Sequence, residues 1–365
     1  MLIDIIAGAR PNFMKIAPII HALQARTKEG GPLRYRLVHT GQHYDTRMSH
    51  DFFVQLRIPQ PDVNLEVGSG SQAAQTGSIM VRYEELLLKS PPALCLVVGD
   101  VTSTLACAIT AKKLGVAVAH VEAGIRSGDI TMPEEVNRIV TDSLTDWFFT
   151  TSDVANANLR RAGFGEEQIF FVGNTMIDTL LANMDRLERP AFFAELDLVP
   201  HRYFVTTLHR PANVDRGDGF SQMLGAIARG ARDLPVVFPV HPRTAKTLRA
   251  LGELPANVHL VEPQPYLQFN WLVKNAFAVI TDSGGITEET TVMGVPCLTL
   301  RDTTERPETI DIGTNVLVGT NPEALAPALE TLFAGDWKRG GIPPLWDGRA
   351  ASRIVEVLEQ LLVQK

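Results

Sequence analysis

A chain of 365 residues is longer than one hydrophobic core usually serves, so two domains of roughly 150 to 200 residues are expected. Its composition, 45% hydrophobic and 21% charged, is that of a folded globular protein, and a net charge of −7 argues against a nucleic-acid or anionic-membrane surface, which needs clustered Lys and Arg. Three cysteines without close spacing indicate neither a disulfide framework nor a zinc site, and no apolar stretch has the length of a membrane span or the basic flank of an export signal, so a cytoplasmic protein is expected.

Short apolar runs alternate with longer amphipathic stretches. Leu2–Ile6, Tyr35–His39, Leu94–Val98, Val116–Val121 and Trp147–Thr150 read as buried strands with helical patterns between most of them, which signals βαβ units and a parallel sheet. The pattern restarts with Tyr203–Thr207, Val236–Val240, His259–Val261, Ala278–Thr281 and Cys297–Leu300, so two doubly wound α/β domains are the simplest reading. Ile169–Val172 ends in Gly173-Asn174, which puts the first domain at 1–174 and the second at 175–349, with a helix over Met176–Leu187 opening the second. A loop at Gly340–Pro344 precedes a last helix from about Ser352 to Val363, placed to return to the first domain as residues 350–365.

In open parallel sheets ligands bind beyond the carboxyl ends of the strands, and charge is concentrated there. After the first strand, Arg10 and Lys15 bracket a helix start at Pro11. The helix dipole favours anions at that end, so the two cations point to an anionic ligand; position alone also allows solvated surface cations. Asp100 follows Leu94–Val98 and Glu122 follows Val116–Val121, and a carboxylate on a buried strand end needs a partner or ligand to offset its desolvation. Glu134, on position alone, is better accounted for by the preference of acidic residues for a first helical turn.

In the second half, His209-Arg210 and His241-Pro242-Arg243 follow strand candidates, although a histidine beside an arginine is often a structural pair. Asp282-Ser283-Gly284-Gly285 follows Ala278–Thr281. Gly284 and Gly285 carry no β-carbon, so a diphosphate can approach the backbone N–H groups of the helix they open, Ser283 adds a hydroxyl, and Glu289 one turn in suits ribose hydroxyls. A Ser-Gly-Gly turn by itself also serves as a plain helix cap.

Taken together, GARPNFMK, GDVTST, HVEAGIRSG, MPEEVNR, LHRPANVD, TDSGGITEET and RDTTERPET, in this order and spacing, resemble the bacterial-type non-hydrolysing UDP-N-acetylglucosamine 2-epimerases from Gly8 to about Gly319. That resemblance implies the GT-B architecture, with two Rossmann-like domains facing a central cleft and the last helix returning to the first. It also implies a homodimer, a UDP-sugar substrate, and no metal or redox cofactor. By likeness, Ser283, Gly284 and Gly285 hold the diphosphate, Glu289 the ribose, Gln264 and Phe269 the uracil, and Arg10, Lys15 and Arg306 complete the anion site. Asp100, Glu122, Glu134 and His209 match the family's acid–base and leaving-group residues.

The reaction so implied is reversible C2 epimerisation of UDP-N-acetylglucosamine to UDP-N-acetylmannosamine. It proceeds by elimination of UDP to a 2-acetamidoglucal and re-addition, because the C2 proton is not acidic enough for direct removal. Two departures stand out. Ala212 sits where many members have Glu, and Gly41-Gln42-His43-Tyr44-Asp45 differs from the Gln-His-Arg-Gln type of segment that helps hold a second, allosteric UDP-N-acetylglucosamine in some bacterial members. Activation by substrate is therefore not expected. The same segment resembles relatives acting on UDP-2,3-diacetamido-2,3-dideoxyglucuronate, whereas Arg301–Glu308 resembles the UDP-N-acetylglucosamine enzymes. A UDP-sugar glycosyltransferase of GT-B fold would share the diphosphate loop but has no evident need for three carboxylates around one sugar carbon.

Overall fold

The structure, a computed structural model, describes residues 1–41, 53–209, 218–240, 248 and 254–363, without the side chains of residues 10 and 218. The chain divides into two units, Met1–Ala182 joined by Pro344–Lys365, and Asn183–Pro343.

The first unit is built on seven strands: β1 (Leu2–Ala7), β2 (Arg34–His39), β3 (Val63–Asn64), β4 (Leu94–Val98), β5 (Ala117–Val121), β6 (Trp147–Thr150) and β7 (Ile169–Phe171). They pair in parallel in the order β3-β2-β1-β4-β5-β6-β7. Every residue of β4 is buried, as a strand covered by helices on both faces requires. The crossovers are α1 (Arg10–Lys28), α2 (Gln72–Lys89), α3 (Thr102–Lys113), α4 (Pro133–Leu144) and α5 (Asp153–Arg161), followed by α6 (Thr175–Asn183). Strand order reverses between β1 and β4, and a sheet of this winding offers its ligand site beyond the strand ends at that point.

The second unit repeats the plan with β8 (Phe204–Thr207), β9 (Val236–Pro239), β10 (Val258–Val261), β11 (Ala278–Thr281), β12 (Cys297–Thr299) and β13 (Asn315–Leu317), ordered β10-β9-β8-β11-β12-β13. Its helices are α7 (Phe192–Glu195), α8 (Asp218–Gly230), α9 (Tyr266–Lys274), α10 (Gly284–Met293), α11 (Pro307–Asp311) and α12 (Leu325–Phe333). Alternation along the strands divides the core: Phe204, Ile280 and Leu298 pack on one face, Val205, Val279 and Cys297 on the other. Both units are Rossmann-like, and the chain ends in α13 (Ala350–Val363), which belongs to the first. Among the described residues no helix is long and apolar enough to cross a membrane. All three cysteines are free and buried.

The domain boundaries differ from those expected at 174/175 and 349/350. The units part at 182/183 and 343/344, because α6 is bonded into the first unit rather than opening the second. Its Thr179 hydroxyl donates to the Met14 carbonyl at 2.5 Å, and its Asp178 carboxylate accepts the amides of Ala350 and Ala351 at 3.1 and 2.7 Å, capping α13. Gly173 is not a linker. Its φ of +95° lets the chain pass Leu345, whose carbonyl oxygen would lie 2.0 Å from any β-carbon there. The return begins with Trp346, 1% exposed, whose indole N–H donates to the Thr151 carbonyl at 3.0 Å. The strands β3 and β13 went unread because two or three half-buried residues carry no periodic signal.

Asp178→Ala removes the carboxylate that accepts the two capping amides of α13, and is expected to cost the first unit about 1 to 2 kcal/mol. Thermal denaturation should register this as a fall in midpoint of roughly 2 to 4 °C per kcal/mol. An unchanged midpoint would show that water replaces the cap.

Candidate active site

The strands β4 and β5 are neighbours, with Val98 opposite Val121. Immediately beyond them Gly99 (φ +65°) and Glu122 (φ +68°) both turn through the left-handed region. That conformation is easy for glycine and strained for glutamate. At Glu122 it is held by two amides, those of Glu122 and Ala123, which both donate to the Phe149 carbonyl at 3.0 and 3.2 Å. The turn carries the Glu122 carboxylate, only 3% exposed, into an ion pair with the Lys15 ammonium from the second turn of α1. Gly99 is needed twice here, since a β-carbon would also lie 2.9 Å from Lys15 Nζ and 3.4 Å from Glu122 Oε2.

Asp100 is held from α4. Its carboxylate pairs with Arg138 at 2.6 Å, and its carbonyl accepts from the Asn137 amide at 2.8 Å. Arg138 also pairs with Glu135 at 2.7 Å, and Glu135 accepts the amides of Ser127 and Gly128 at 2.9 and 3.1 Å. Burial pushes the Glu135 carboxyl up, but these amides and the Arg138 guanidinium outweigh it and leave it below the ordinary value. One turn further along α4, Asp142 accepts from Gly124 N–H at 3.1 Å and pairs with Arg126 at 2.6 Å through one oxygen, while its other oxygen lies 2.7 Å from Nδ1 of the buried His120. Nε2 of His120 lies 2.8 Å from the Gly99 carbonyl. Asn12 fixes the remaining turn: its oxygen accepts the amides of Gly8 and Ala9, both at 3.0 Å, and its amide donates to the Val98 carbonyl at 3.1 Å.

The structure therefore gathers Lys15, Asp100 and Glu122 at one set of strand ends. Lys15 is paired with a carboxylate there, where sequence reasoning left it to an external anion. Glu134 is exposed on the first turn of α4, while its neighbour Glu135 is buried. The side chain of Arg10 lies outside the described residues.

In the second unit β8 and β11 are neighbours, with Thr207 opposite Thr281. The amide of His209, an exposed residue just past β8, donates to both carboxylate oxygens of Asp282 at 3.1 and 2.9 Å. Ser283 stands as N-cap of α10 and its amide donates to the Thr281 hydroxyl at 3.0 Å. A β-carbon on Gly284 would lie 2.9 Å from Glu305 Oε1, whose carboxylate pairs with Arg301, so the bare backbone lets that ion pair reach the helix start. Gly285 follows it in the first turn of α10.

Glu288 and Glu289 are both buried on α10. Glu288 pairs with Arg306 at 2.6 Å, so this cation too has an internal partner. Glu289 accepts from Asn270 of α9 at 3.3 Å, and burial lifts its carboxyl to about 7 against the lowering effect of the neighbouring Asn270 amide and Tyr266 hydroxyl. Gln264, just ahead of α9, donates to the Glu262 carbonyl at 2.7 Å, and Phe269 packs on the core beneath that helix. Gln42 to Asp45, Arg210 to Ala212, His241 and Arg243 lie outside the described residues.

Sequence reasoning gave no site role to Asn12, His120, Arg126, Glu135, Arg138, Asp142 or Asp282. A signal was present in α4, where Glu135, Arg138 and Asp142 recur at i, i+3 and i+7, the spacing of one helix face. It was hidden because α4 is inverted: its polar residues are inside and its apolar Val136 and Ile139 are 40% and 38% exposed.

Two Rossmann-like units in one chain, the last helix returned to the first, with carboxylates on one sheet and a glycine-opened helix on the other, make this an α/β enzyme of the GT-B class. The sequence profile of the family described as UDP-N-acetylglucosamine 2-epimerase matches residues 25–359. The UDP-N-acetylglucosamine 2-epimerase of Methanocaldococcus jannaschii is 41% identical over 98% of this chain and 99% of its own. The UDP-2,3-diacetamido-2,3-dideoxy-D-glucuronate 2-epimerase of Pseudomonas aeruginosa is 38% identical over 99% of this chain and all of its own, 100%. The crystal structure of the M. jannaschii UDP-GlcNAc 2-epimerase in complex with UDP-GlcNAc and UDP matches with a TM-score of 0.88 at 40% identity, covering 98% of this chain and 99% of that one. The chain belongs to the UDP-N-acetylglucosamine 2-epimerase family, and it is an isomerase.

Arg138→Met would leave Asp100 and the buried Glu135 without their shared cation. A loss of about 3 kcal/mol is expected in denaturant unfolding, the scale for breaking a buried pair. A loss under about 1 kcal/mol would mean that solvent screens the pair as it does at a surface.

Proposed function

We propose that the chain interconverts UDP-N-acetylglucosamine and UDP-N-acetylmannosamine by eliminating UDP to a 2-acetamidoglucal and adding it back. The observation that carries this reading is the placement of Asp100 and Glu122 on neighbouring strand ends, each with its own cation, Arg138 and Lys15. In the elimination a carboxylate takes the C2 proton, that C–H pair becomes the C1=C2 bond, and the C1–O bond breaks with its electrons leaving on the diphosphate. In the return step a diphosphate oxygen attacks C1 and a proton reaches C2 on the other face. Asp100, Glu122 and Glu134 supply base and acid, and Arg10, Lys15 and His209 stabilise the departing charge. No electrons are gained or lost overall, so no redox cofactor is part of the scheme.

UDP is assigned to the second unit. The N–H groups after Ser283, at Gly284 and Gly285, receive the diphosphate with Arg306 nearby. Glu289 receives the ribose, and Gln264 and Phe269 the uracil. We place the protein in the cytoplasm as a homodimer, in line with the family resemblance and with its free, buried cysteines. A second reading, C2 epimerisation of UDP-2,3-diacetamido-2,3-dideoxyglucuronate, is favoured by the similarity to the P. aeruginosa relative. Both sugars carry an acetamido group at C2, so the same bonds break and form.

Incubation with each nucleotide sugar in D2O, without NAD or added metal, should show deuterium entering C2 of the preferred sugar by NMR. Free N-acetylmannosamine accumulating with equal UDP would make the protein a hydrolase, and a need for an acceptor sugar would make it a transferase. Asp100→Asn and Glu122→Gln should each lower turnover by roughly 10²-fold or more while UDP still binds. Normal turnover in either variant removes that residue from the chemistry.

A pH dependence follows from Glu289, whose carboxyl is raised to about 7. Raising pH through neutrality ionises it and supplies the acceptor that ribose hydroxyls need. Affinity for UDP-N-acetylglucosamine, whose diphosphate diester keeps its charge in this range, should therefore rise with pH, and Glu289→Gln should flatten the profile. Calorimetric titration at several pH values checks this, and a flat wild-type profile would take Glu289 out of the ribose site.

A further inference from the structure

We propose that His120 is a positioning residue that works as an imidazolium, holding the Gly99–Asp100 turn and balancing the charge of Asp100 and Glu122. The proposal deepens the reading above, in which those two carboxylates handle the C2 proton. His120 lies on β5, two residues before Glu122, with its side chain fully enclosed. Its Nε2 lies 2.8 Å from the Gly99 carbonyl, and a carbonyl only accepts, so Nε2 carries a hydrogen. Its Nδ1 lies 2.7 Å from Asp142 Oδ1. Asp142 is ionised, because its other oxygen accepts from the Gly124 amide and pairs with the Arg126 guanidinium at 2.6 Å. An ionised carboxylate has no hydrogen to give, so Nδ1 carries one as well, and both ring nitrogens are donors.

Enclosure of that charge demands a countercharge, and Asp142 supplies it. Asp142 is shared between two cations, His120 and Arg126, so this triad is left with one net positive charge. On the other side of the turn Arg138 is shared between two anions, Asp100 and Glu135, which leaves a net negative charge, while Lys15 and Glu122 cancel. The surplus on one triad matches the deficit on the other, and the Gly99 carbonyl that His120 grips belongs to the residue before Asp100. A neutral His120 would either set two acceptors against each other at Nδ1 or release the Gly99 carbonyl, according to its tautomer, and in both cases would leave Asp100 without its compensating charge. His120 touches no reacting atom; it acts through the turn and the field.

Two measurements test this. In protein labelled with 15N-histidine, the His120 ring should show both nitrogens protonated at neutral pH, each correlated with a slowly exchanging, low-field N–H proton. A ring with one protonated nitrogen would overturn the proposal, and this readout needs neither a variant nor activity. In the second, His120→Gly should lose roughly 10²-fold in kcat for deuterium exchange at C2 with little change in KM, the scale of a disturbed acid–base group. Added imidazole, which takes up a proton, should restore turnover, and pyrazole of the same size, which does not, should fail. Equal rescue by both would reduce His120 to packing. If the wild-type enzyme exchanged no deuterium into either nucleotide sugar, the functional reading would fall, while the ring signals would still decide the charge of His120.

Discussion

Two carboxylates on adjacent parallel strand ends impose the constraint on which the first unit depends. Strands lie about 5 Å apart, and two unit charges at that spacing repel by roughly 3 kcal/mol at an effective dielectric near 20. Burial adds a desolvation cost at Glu122. Cations reach both Asp100 and Glu122, and the surrounding elements are arranged to bring them: Lys15 from α1, and Arg138 from α4. The left-handed turns at Gly99 and Glu122 serve the same need, since a chain that stayed extended would go on aiming successive side chains at the two faces of the sheet.

That requirement also explains the unusual character of α4. A crossover helix normally presents an apolar stripe to its sheet. Here the inward face is Glu135, Asn137, Arg138, Thr141 and Asp142, and each of the three charged residues is bonded to a backbone amide or an opposite charge at the ends of β4 and β5. Part of the hydrophobic packing is given up at this helix so that the strand ends are electrostatically fixed. The remainder of the unit supplies the stability, through β4 and β1 buried on both faces and through the cap that Asp178 places on α13.

The second unit solves a different problem by a different device. Its proposed anion site is a helix start, where unpaired N–H groups and the dipole attract an anion without any formal charge. Formal charges nearby are consumed internally: Arg306 by Glu288, Arg301 by Glu305, and Asp282 by the amide of His209. Glu289 is the exception, a carboxyl that burial brings close to neutrality and that only uncharged groups, Asn270 and Tyr266, support. In the function proposed above, such a site orients the nucleotide by dipoles and hydrogen bonds.

Much of this was legible in the amino-acid sequence. Fully buried strands such as Leu94–Val98 and Ala278–Thr281 announce themselves as short apolar runs, and the residues just after them are the candidate ligand positions because parallel sheets bind there. Asp100, Glu122 and Ser283 to Gly285 could therefore be named from order and spacing alone. What the tertiary structure decided is which charges meet. Lys15 and Glu122 are 107 residues apart, Arg138 and Asp100 are 38 apart, and no local pattern pairs them. The inverted face of α4 is invisible to any reading that assumes apolar residues point inward. The boundary moved from 174 to 182 because Asp178 and Thr179 find partners at Ala350, Ala351 and Met14, residues far away in the chain. Periodicity is local and so is written in the sequence, whereas ion pairing depends on which strand ends the fold brings side by side.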